Sequence, residues 1–239
     1  MSRFVFRRQC GVHSRFRRFL IASAIYIPLL LLADSPGLVP QLALGFATLA
    51  FLYVFSNGPA RPIVTAIIVA TTGEIVLSLG WGLYTYRNAL IPLYVPFGHG
   101  VFYALAAESA QQDFFRRHEH AIVRGVLIGG SAIALVSLIF FRDQWGLLWW
   151  IAAAALLARS RNQVLLATCF VYTILLEWIG TAIGNWHWTA IVPGVGLTSA
   201  NPPSGVGILY ILLDLITVAI CSATVTSPAL APEGDPALE

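Results

Sequence analysis

Two glutamates set in the middle of apolar stretches are the residues of this chain best placed to do chemistry. Glu74 lies within residues 63–83 and Glu177 within residues 164–183, and neither stretch contains another charged residue. A carboxylate at membrane depth costs roughly 2.5–3.5 kcal/mol on insertion scales, so such a residue is by default a functional-site candidate. Because a carboxyl group out of water favours its protonated form, the pattern predicts a general acid.

The same aromatic pattern follows both glutamates. Gly-Leu-Tyr-Thr-Tyr occupies residues 82–86, and Gly-Asn-Trp-His-Trp occupies residues 184–188. Further along, a proline, a glycine and a tyrosine recur at one spacing, first at 96, 100 and 103 and again at 203, 207 and 210. This ordered set of matches indicates an internal duplication. Since aromatic faces stabilise cations in dry surroundings, the duplicated unit joins a buried acid to a cluster suited to a carbocation.

Composition predicts that the elements carrying these residues lie in a membrane. Hydrophobic residues make up 58% of the chain and charged residues 10%, against about 25% charged residues in a soluble domain. The mean hydropathy is +0.78. The cysteines at 10, 169 and 221 show no spacing typical of a disulfide framework or a metal site. We therefore predict an integral membrane protein with no nucleic-acid partner.

Eight apolar stretches can each be interpreted as a membrane span. They cover residues 19–33, 39–56, 62–83, 91–107, 121–141, 145–158, 163–184 and 204–223. Cytoplasmic loops carry an excess of positive charge. With the N-terminus in the cytoplasm, arginines 3, 7, 8, 15, 17, 18, 61, 116, 117, 124, 159 and 161 lie on the cytoplasmic side, and only Arg87 and Arg142 lie opposite. The bias predicts a multi-pass protein with both termini in the cytoplasm. All basic residues are arginine, which suggests a bacterial source, so the predicted location is the bacterial cytoplasmic (inner) membrane.

The duplication predicts that the first four spans correspond to the last four. We predict an all-α integral membrane fold of about eight transmembrane helices, built as two parallel four-helix repeats related by an axis along the membrane normal. The predicted segments are a basic cytoplasmic N-terminal tail (1–18), a first repeat (19–107), a cytoplasmic linker (108–120), a second repeat (121–226) and a disordered C-terminal tail (227–239). We expect the linker, which begins with Glu108, to be solvated or in contact with lipid headgroups.

This topology puts both glutamates in the outer half of the bilayer, below an aromatic rim and a long loop that could fold over the site. His99 should lie close to Glu74, and its counterpart in the repeat is Val206, so it breaks the symmetry. Asp214 lies at mid-span and needs a partner, for which Asn185, Asn201 and Glu177 are candidates. The predicted catalytic residues are Glu74, Glu177, His99 and Asp214. The predicted substrate-binding residues are Trp81, Tyr84, Tyr86, Tyr103, Trp186, Trp188, Asn201 and Tyr210.

These residue types together suit protonation of a carbon–carbon double bond and passage through a carbocation. A second carboxylate, or His99, could then direct water or remove a proton. The expected substrate is a lipid-soluble isoprenoid or polyene that reaches the site from the bilayer. We therefore predict a cofactor-free enzyme, a hydratase or a cyclase, whose partners are this substrate and membrane lipids. A homo-oligomer is compatible with the sequence.

Residues 70–104 resemble the membrane-embedded hydratases of carotenoid biosynthesis, of the bisanhydrobacterioruberin hydratase type. The likeness rests on Glu74, on the motif at 82–86 and on Pro-Leu-Tyr-Val-Pro at 92–96, with an echo at 177–211. It implies a lyase that adds water across terminal isoprenoid double bonds, with Glu74, Tyr84 and Tyr86 as site residues. Membrane lycopene cyclases are similar in style, but their Pro-x-Glu-Glu signature is absent from this sequence. The chain also departs from the pattern at His99 and at its second aromatic pair, which is tryptophan.

Other interpretations stay open at this level. Tyrosine and tryptophan at helix ends often only anchor a helix at the membrane surface, and a membrane glutamate can simply bridge helices. A metal-dependent lipid hydrolase would use His99, Glu74, Glu177 and Asp214 as ligands. A small-molecule or lipid transporter would also explain duplication with intramembrane acids. A purely structural subunit is a further alternative.

Overall fold

The computed structural model describes the backbone of residues 2–223 and the side chains of residues 14–222, and within these limits the chain is nearly all helical. The helices are α1 (Ser2–Ala33), α2 (Leu38–Phe55), α3 (Ala60–Glu74), α4 (Val95–Gln111), α5 (Asp113–Arg117), α6 (Glu119–Phe141), α7 (Gln144–Arg159), α8 (Gln163–Ile183) and α9 (Ile208–Ala223). A π-helical turn, Ile75–Gly80, continues α3, and two short strands are β1 (Tyr84–Tyr86) and β2 (Trp186–Trp188). The predicted C-terminal tail, 227–239, lies outside the described residues.

Five helices are long enough and apolar enough to cross a membrane, by length and composition. They are Ser14–Ala33, Leu38–Phe55, Ala60–Gly80, Glu119–Phe141 and Gln163–Ile183. A helix also lies at each of the other three predicted spans, but α4 has 17 residues and α7 and α9 have 16 each. At 1.5 Å per residue these three cover only about 24–26 Å, against roughly 30 Å of hydrocarbon. The helical fold is therefore confirmed, and the number of spans stays a prediction.

The surface of the helices is apolar where a soluble protein would be polar. On α2, Phe46 and Val54 are 67% and 70% exposed, and on α6, Ile128 and Ile139 are 65% and 63% exposed. Large exposed apolar surfaces of this kind mark contact with a membrane or another protein. Together with the helix lengths, these exposed apolar faces fit a membrane protein.

Helix α4 packs against four of the long helices, α1, α2, α3 and α8. Close approach is possible because the chain has a small residue at the crossing point: a Cβ on Gly100 would meet the side chains of Ile67 and Leu52 at 2.9 Å. Its repeat counterpart Gly207 lies against the Phe170 ring in the same way. The Pro-Gly-Tyr pattern of the sequence therefore marks two tight helix contacts, one on α4 and one at the start of α9.

The two strands pair with each other although about a hundred residues separate them. They are antiparallel, and the pair Thr85–His187 lies at the centre of the register. The pairing extends beyond the strands, since the Arg87 amide donates to the Asn185 carbonyl (2.8 Å) and the Thr189 amide donates to the Leu83 carbonyl (2.9 Å). The two aromatic motifs are thus joined into one small sheet that closes one end of the bundle.

The loop between β2 and α9 is held down by a buried carboxylate. Asp143 is fully buried at the start of α7 and accepts hydrogen bonds from the amides of Gly146, Ala200 and Ser204 at 3.0, 2.9 and 2.7 Å. Because these amides would otherwise lack partners, Asp143 fixes the loop against α7. The loop expected above the site is therefore an anchored part of the fold.

The structure corrects the interpretation of Glu108. This residue lies inside α4 and is buried, with its carboxylate accepting hydrogen bonds from the Asn57 amide (2.7 Å) and the Ser56 hydroxyl (3.3 Å). From a neighbouring helix it therefore holds the connection that follows α2, and the expectation of a solvated position is wrong. The arginines that follow it on α5 do remain exposed.

Candidate functional site

A cavity of about 550 Å³ lies between the helices and the two-stranded sheet. Its walls come from α1, α2, α3 with its π-helical turn, α4, α8 and α9, and from β1 and β2. Both Glu74 and Glu177 line it, in a wall that is otherwise mostly apolar. The two carboxyl groups that the sequence places far apart thus open into one space.

Glu74 is held by the two tyrosines of the motif that follows it. The hydroxyl groups of Tyr84 and Tyr86 donate to the same carboxylate oxygen, Oε2, at 2.8 and 2.7 Å. Side chains alternate between the two faces of a strand, so Tyr84 and Tyr86 both point inwards while Thr85 is exposed. Burial, and then the charge of Glu74, raises the pKa of both phenols well above its usual value, so they remain donors.

His99 contacts the other oxygen of Glu74. Its Nε2 lies 3.3 Å from Glu74 Oε1, and its Nδ1 lies 2.8 Å from the Val95 carbonyl oxygen. A carbonyl only accepts, so Nδ1 must carry a hydrogen. A hydrogen bond between Nε2 and Oε1 then contains a single proton, carried either by the imidazole or by the carboxyl group. The imidazole also stacks on Tyr210, with ring centres 5.4 Å apart and planes 6° apart.

Glu177 has a different set of donors. The indole N–H groups of Trp186 and Trp188 donate to its Oε2 at 2.8 and 2.9 Å. An indole N–H can donate but cannot accept. Within the described residues no hydrogen bond reaches the other oxygen, Oε1, which is left to the cavity. The position equivalent to His99 is filled by Val206, which is fully buried.

Glycines at matched positions let the aromatic side chains reach the carboxylates. Gly82 and Gly184 open the two motifs, and both have positive φ, at 74° and 79°, a conformation that side chains disfavour. Gly180 lies one turn before the second motif, and a Cβ there would come within 2.0 Å of the Trp186 ring. The indole therefore lies directly on the backbone of α8, which brings its N–H to Glu177.

The aromatic rings form one continuous wall across the two motifs. Ring centres of Tyr84 and Trp188 are 4.5 Å apart, and those of Tyr86 and Trp186 are 6.0 Å apart. Tyr84 and Tyr86 contact each other edge to face at 5.9 Å. Such packing orients π faces and edges in a fixed way, so the cavity presents a rigid aromatic surface between its two acids.

Four of the predicted site residues lie outside this cavity. Trp81 is partly exposed and donates to the Pro193 carbonyl (2.8 Å), while Asn201 accepts from the Trp188 amide (2.9 Å) and contacts His187. Tyr103 and Asp214 are buried, but neither lines the cavity. The predicted residues that the cavity does bring together are Glu74, Tyr84, Tyr86, His99, Glu177, Trp186, Trp188 and Tyr210.

Asp214 does not meet the partners considered for it. The Asn185 amide, which is fully buried, donates to the Leu31 carbonyl (2.9 Å) and towards Asp34 (3.3 Å), and Asn201 and Glu177 bond to the second motif. Asn185 and Asp34 belong to a polar cluster that sequence reasoning missed. Tyr94 joins this cluster at the cavity wall, where its hydroxyl lies 3.4 Å from the side-chain nitrogen of Asn185.

The positions of the possible metal ligands can be compared with those expected for a metal-dependent lipid hydrolase. Within the side chains described, 14–222, no group of three or more His, Cys, Asp or Glu residues is arranged to hold a metal ion. Three of the four ligands named for a hydrolase do share the cavity, whereas Asp214 lies elsewhere.

Known proteins give no independent guide to this arrangement. Comparison with protein-family models, with curated proteins and with solved structures finds no match to the chain. The likeness to carotenoid hydratases therefore rests on the sequence motifs alone and stays a prediction.

Proposed function

We propose that this protein is an intramembrane enzyme that protonates a double bond of an isoprenoid or carotenoid-like lipid and completes a hydration or a cyclisation. The observation that carries the proposal is the pairing of Glu74 with His99 in an apolar cavity that also holds Glu177. A shared proton in a dry site is suited to general acid catalysis. The aromatic wall is suited to the cation that follows.

The reaction divides between the two carboxyl groups. Glu74, with His99 behind it, gives its proton to one carbon of the double bond, and the electron pair of the π bond forms the new C–H bond. The neighbouring carbon becomes a cation beside the rings of Tyr84 and Trp188. Glu177 Oε1 then accepts a proton. In a hydration the proton comes from a water molecule whose oxygen has bonded to the cation. In a cyclisation the π electrons of a second double bond of the chain first form the ring-closing C–C bond to the cation, and the proton then leaves a carbon next to the new cation, which restores a double bond.

We propose that the two halves of the chain are structural repeats, eight spans in all. The support is the centre of the sheet register, Thr85–His187, because these residues occupy the same position in the two motifs. An antiparallel pair of equivalent strands centred on equivalent residues has a local two-fold axis. Such an axis also relates Glu74 with its tyrosines to Glu177 with its tryptophans. In this proposal the site lies in the outer half of the bacterial inner membrane, with both termini in the cytoplasm.

The test is mass spectrometry of lipid extracts from a carotenoid-producing host, with and without the protein. We expect a new species heavier by one water, or an isomer of unchanged mass for a cyclase, and Glu74→Gln should abolish it. Glu108→Gln is the matched control, because Glu108 is also a buried glutamate but lies outside the cavity. A full yield of product from Glu74→Gln, or no change in any polyene, would refute the proposal.

A further inference from the structure

We propose that the cavity opens to the lipid through a seam between α3 with its π-helical turn and α9, and that a linear isoprenoid chain enters there. The class of lipid rests on the function proposed above, whereas the position of the opening does not. The seam is defined by five residues that line the cavity and are also exposed: Ile68, Thr72, Val76, Leu212 and Ile216.

The exposure of the cavity wall locates the opening. Ile68 and Val76 are 61% and 55% exposed, and Leu212 and Ile216 are 39% and 45% exposed, although all four line the cavity. Every cavity-lining residue contributed by α1, α2, α4, α8 or the strands is buried or only half-buried. Within the described side chains, this is where we place the opening of the cavity.

The ends of the seam are closed by contacts between its two walls and with the loop. At the end of the seam near the start of α3, the Arg61 guanidinium donates to the Cys221 carbonyl (3.4 Å), and Cys221 contacts Thr65. At the other end the Trp81 indole donates to the Pro193 carbonyl. Between these closures, residues 68 to 76 measure about 12 Å at 1.5 Å per residue. A slot of this length between two adjacent helices suits an extended chain lying across it.

The chemistry of the rim suits hydrocarbon. It contains no charged residue, and its single polar side chain, Thr72, already donates its hydroxyl to the Ile68 carbonyl (2.9 Å). A polar headgroup would find no partner there, and a buried polar group without a partner is costly. The seam is therefore a passage for a hydrocarbon tail or a headless chain.

The seam lies at the level of the acid. Glu74 sits between Thr72 and Val76 on the same helix, and its side chain faces inwards where those two face the rim. Val76 belongs to the π-helical turn, a feature that often marks functional sites. A chain that slides in sideways would thus bring its end to Glu74 without leaving the hydrocarbon layer.

The test uses protein in phospholipid nanodiscs and a geranylgeranyl hydrocarbon with a photoreactive diazirine at its end. We expect light to label cavity residues of the unmodified protein. Thr72→Trp combined with Leu212→Trp fills the seam and should remove this labelling. Val64→Trp combined with Val218→Trp is the matched control, because these residues are 51% and 45% exposed on the same helices but do not line the cavity. Continued cavity labelling in the filled variant would overturn the seam.

A reversible block separates occlusion from misfolding. In a cysteine-free background, Thr72→Cys is modified with a bulky aromatic thiosulfonate after folding, which should abolish labelling, and a reductant should restore it. If modification of Thr72→Cys leaves the labelling unchanged, the proposed seam is also overturned. Photolabelling needs no turnover, so it tests the seam independently of the reaction. If labelling depends on the seam but Glu74→Gln changes no polyene, the proposed enzymatic activity is refuted and the proposed seam is retained. If product forms at the normal rate while the seam is blocked, the proposed seam is refuted and the proposed enzymatic activity is retained.

Discussion

Glu74 and Glu177 differ in what their neighbours can do with a proton. Among the described residues, the Glu177 carboxylate is bonded only by indole N–H groups, which hold it in place but cannot take a proton from it. Glu74 is bonded by two phenols and faces an imidazole, which can exchange a proton. Two like acids in unlike surroundings commonly take different roles. We therefore assign the proton donor to Glu74 and the later acceptor to Glu177.

The role of His99 can be tested by restoring the symmetry of the two halves. His99→Val removes the imidazole from Glu74 and leaves the residue type found at Val206. We expect turnover to fall roughly 10²–10⁴-fold, the range for loss of a proton-transfer partner, while the amount of folded protein in the membrane is unchanged. Turnover is measured per folded protein by product mass spectrometry. Unchanged turnover would show that His99 has no part in the reaction and that the asymmetry arose by drift.

The buried phenols predict the alkaline limit of stability. Because burial raises the pKa of Tyr84 and Tyr86, their contribution to stability is fully present below the unfolded pKa of about 10. It is lost as the pH rises through the higher folded pKa. Thermal unfolding should therefore show a steep loss of Tm above about pH 10, and Tyr86→Phe should make that loss shallower. Tyr53→Phe, at an 87% exposed position, should leave the profile as it is; an equal effect of both variants would contradict the assignment.

Residue types and spacing predicted the two glutamates and the two aromatic pairs that line the cavity, but they also predicted residues that lie outside it. A charge inside an apolar stretch and a repeated motif could be seen in the sequence, and these gave Glu74, Glu177 and the two aromatic pairs. Asp214 and Tyr103 carry the same kind of pattern on α9 and α4, yet they face away from the cavity. Hydropathy does not show which face of such a helix points into the protein, because most of its faces are apolar.

At the scale of elements, the sheet could not be predicted from the sequence. Tyr-Thr-Tyr and Trp-His-Trp have residues that favour strands, but three residues form a strand only when a partner is in place. The partner here lies about a hundred residues away, and the local sequence contains nothing that specifies it. The sheet matters to the site because it sets both aromatic pairs at one end of the cavity.

The contact between Trp186 and α8 predicts the effect of a single methyl group. In Gly180→Ala the new Cβ would lie within 2.0 Å of the indole ring, so the ring must shift and its bond to Glu177 lengthen. We expect a destabilisation of about 1–3 kcal/mol, the range for overpacking, measured by thermal unfolding and by tryptophan emission. Gly129→Ala on α6 is the control, since apart from its chain neighbours and the backbone of its own helix no described atom lies within 4 Å of the added Cβ. Equal stability of Gly180→Ala and the control would show that Trp186 does not lie where the structure places it.

At the scale of the whole molecule, hydropathy predicted where the helices lie, and the number of helices that cross the membrane stays a prediction. Five helices have the length and composition to cross, and α4, α7 and α9 are too short for this to be decided from length alone. A short helix can still span the membrane if it is nearly perpendicular to the bilayer and the bilayer is locally thin. The decision therefore needs a constraint from the fold.

The sheet supplies that constraint. Because β1 and β2 pair, the end of α3 and the end of α8 must lie on the same side of the membrane, so an even number of crossings separates them. Between them lie α4, α5, α6, α7 and α8, of which α6 and α8 have membrane length and α5 has only five residues. If α6 and α8 cross, α4 and α7 therefore either both cross or both do not. The eight-span proposal requires that both cross.

Cysteine labelling of intact cells distinguishes these two cases. In a cysteine-free background we place single cysteines at Leu90, Phe114 and Val195, which are 70%, 57% and 47% exposed. Leu90 precedes α4, Phe114 lies in α5 between α4 and α6, and Val195 lies between β2 and α9. If α4 and α7 cross, an impermeant maleimide should reach Leu90→Cys and Val195→Cys from outside, and Phe114→Cys only after the cells are permeabilised. Labelling of all three from outside would mean that α4 does not cross and would remove the eight-span proposal. Labelling of Leu90→Cys and Val195→Cys from opposite sides would contradict the strand pairing itself, and with it the shared cavity.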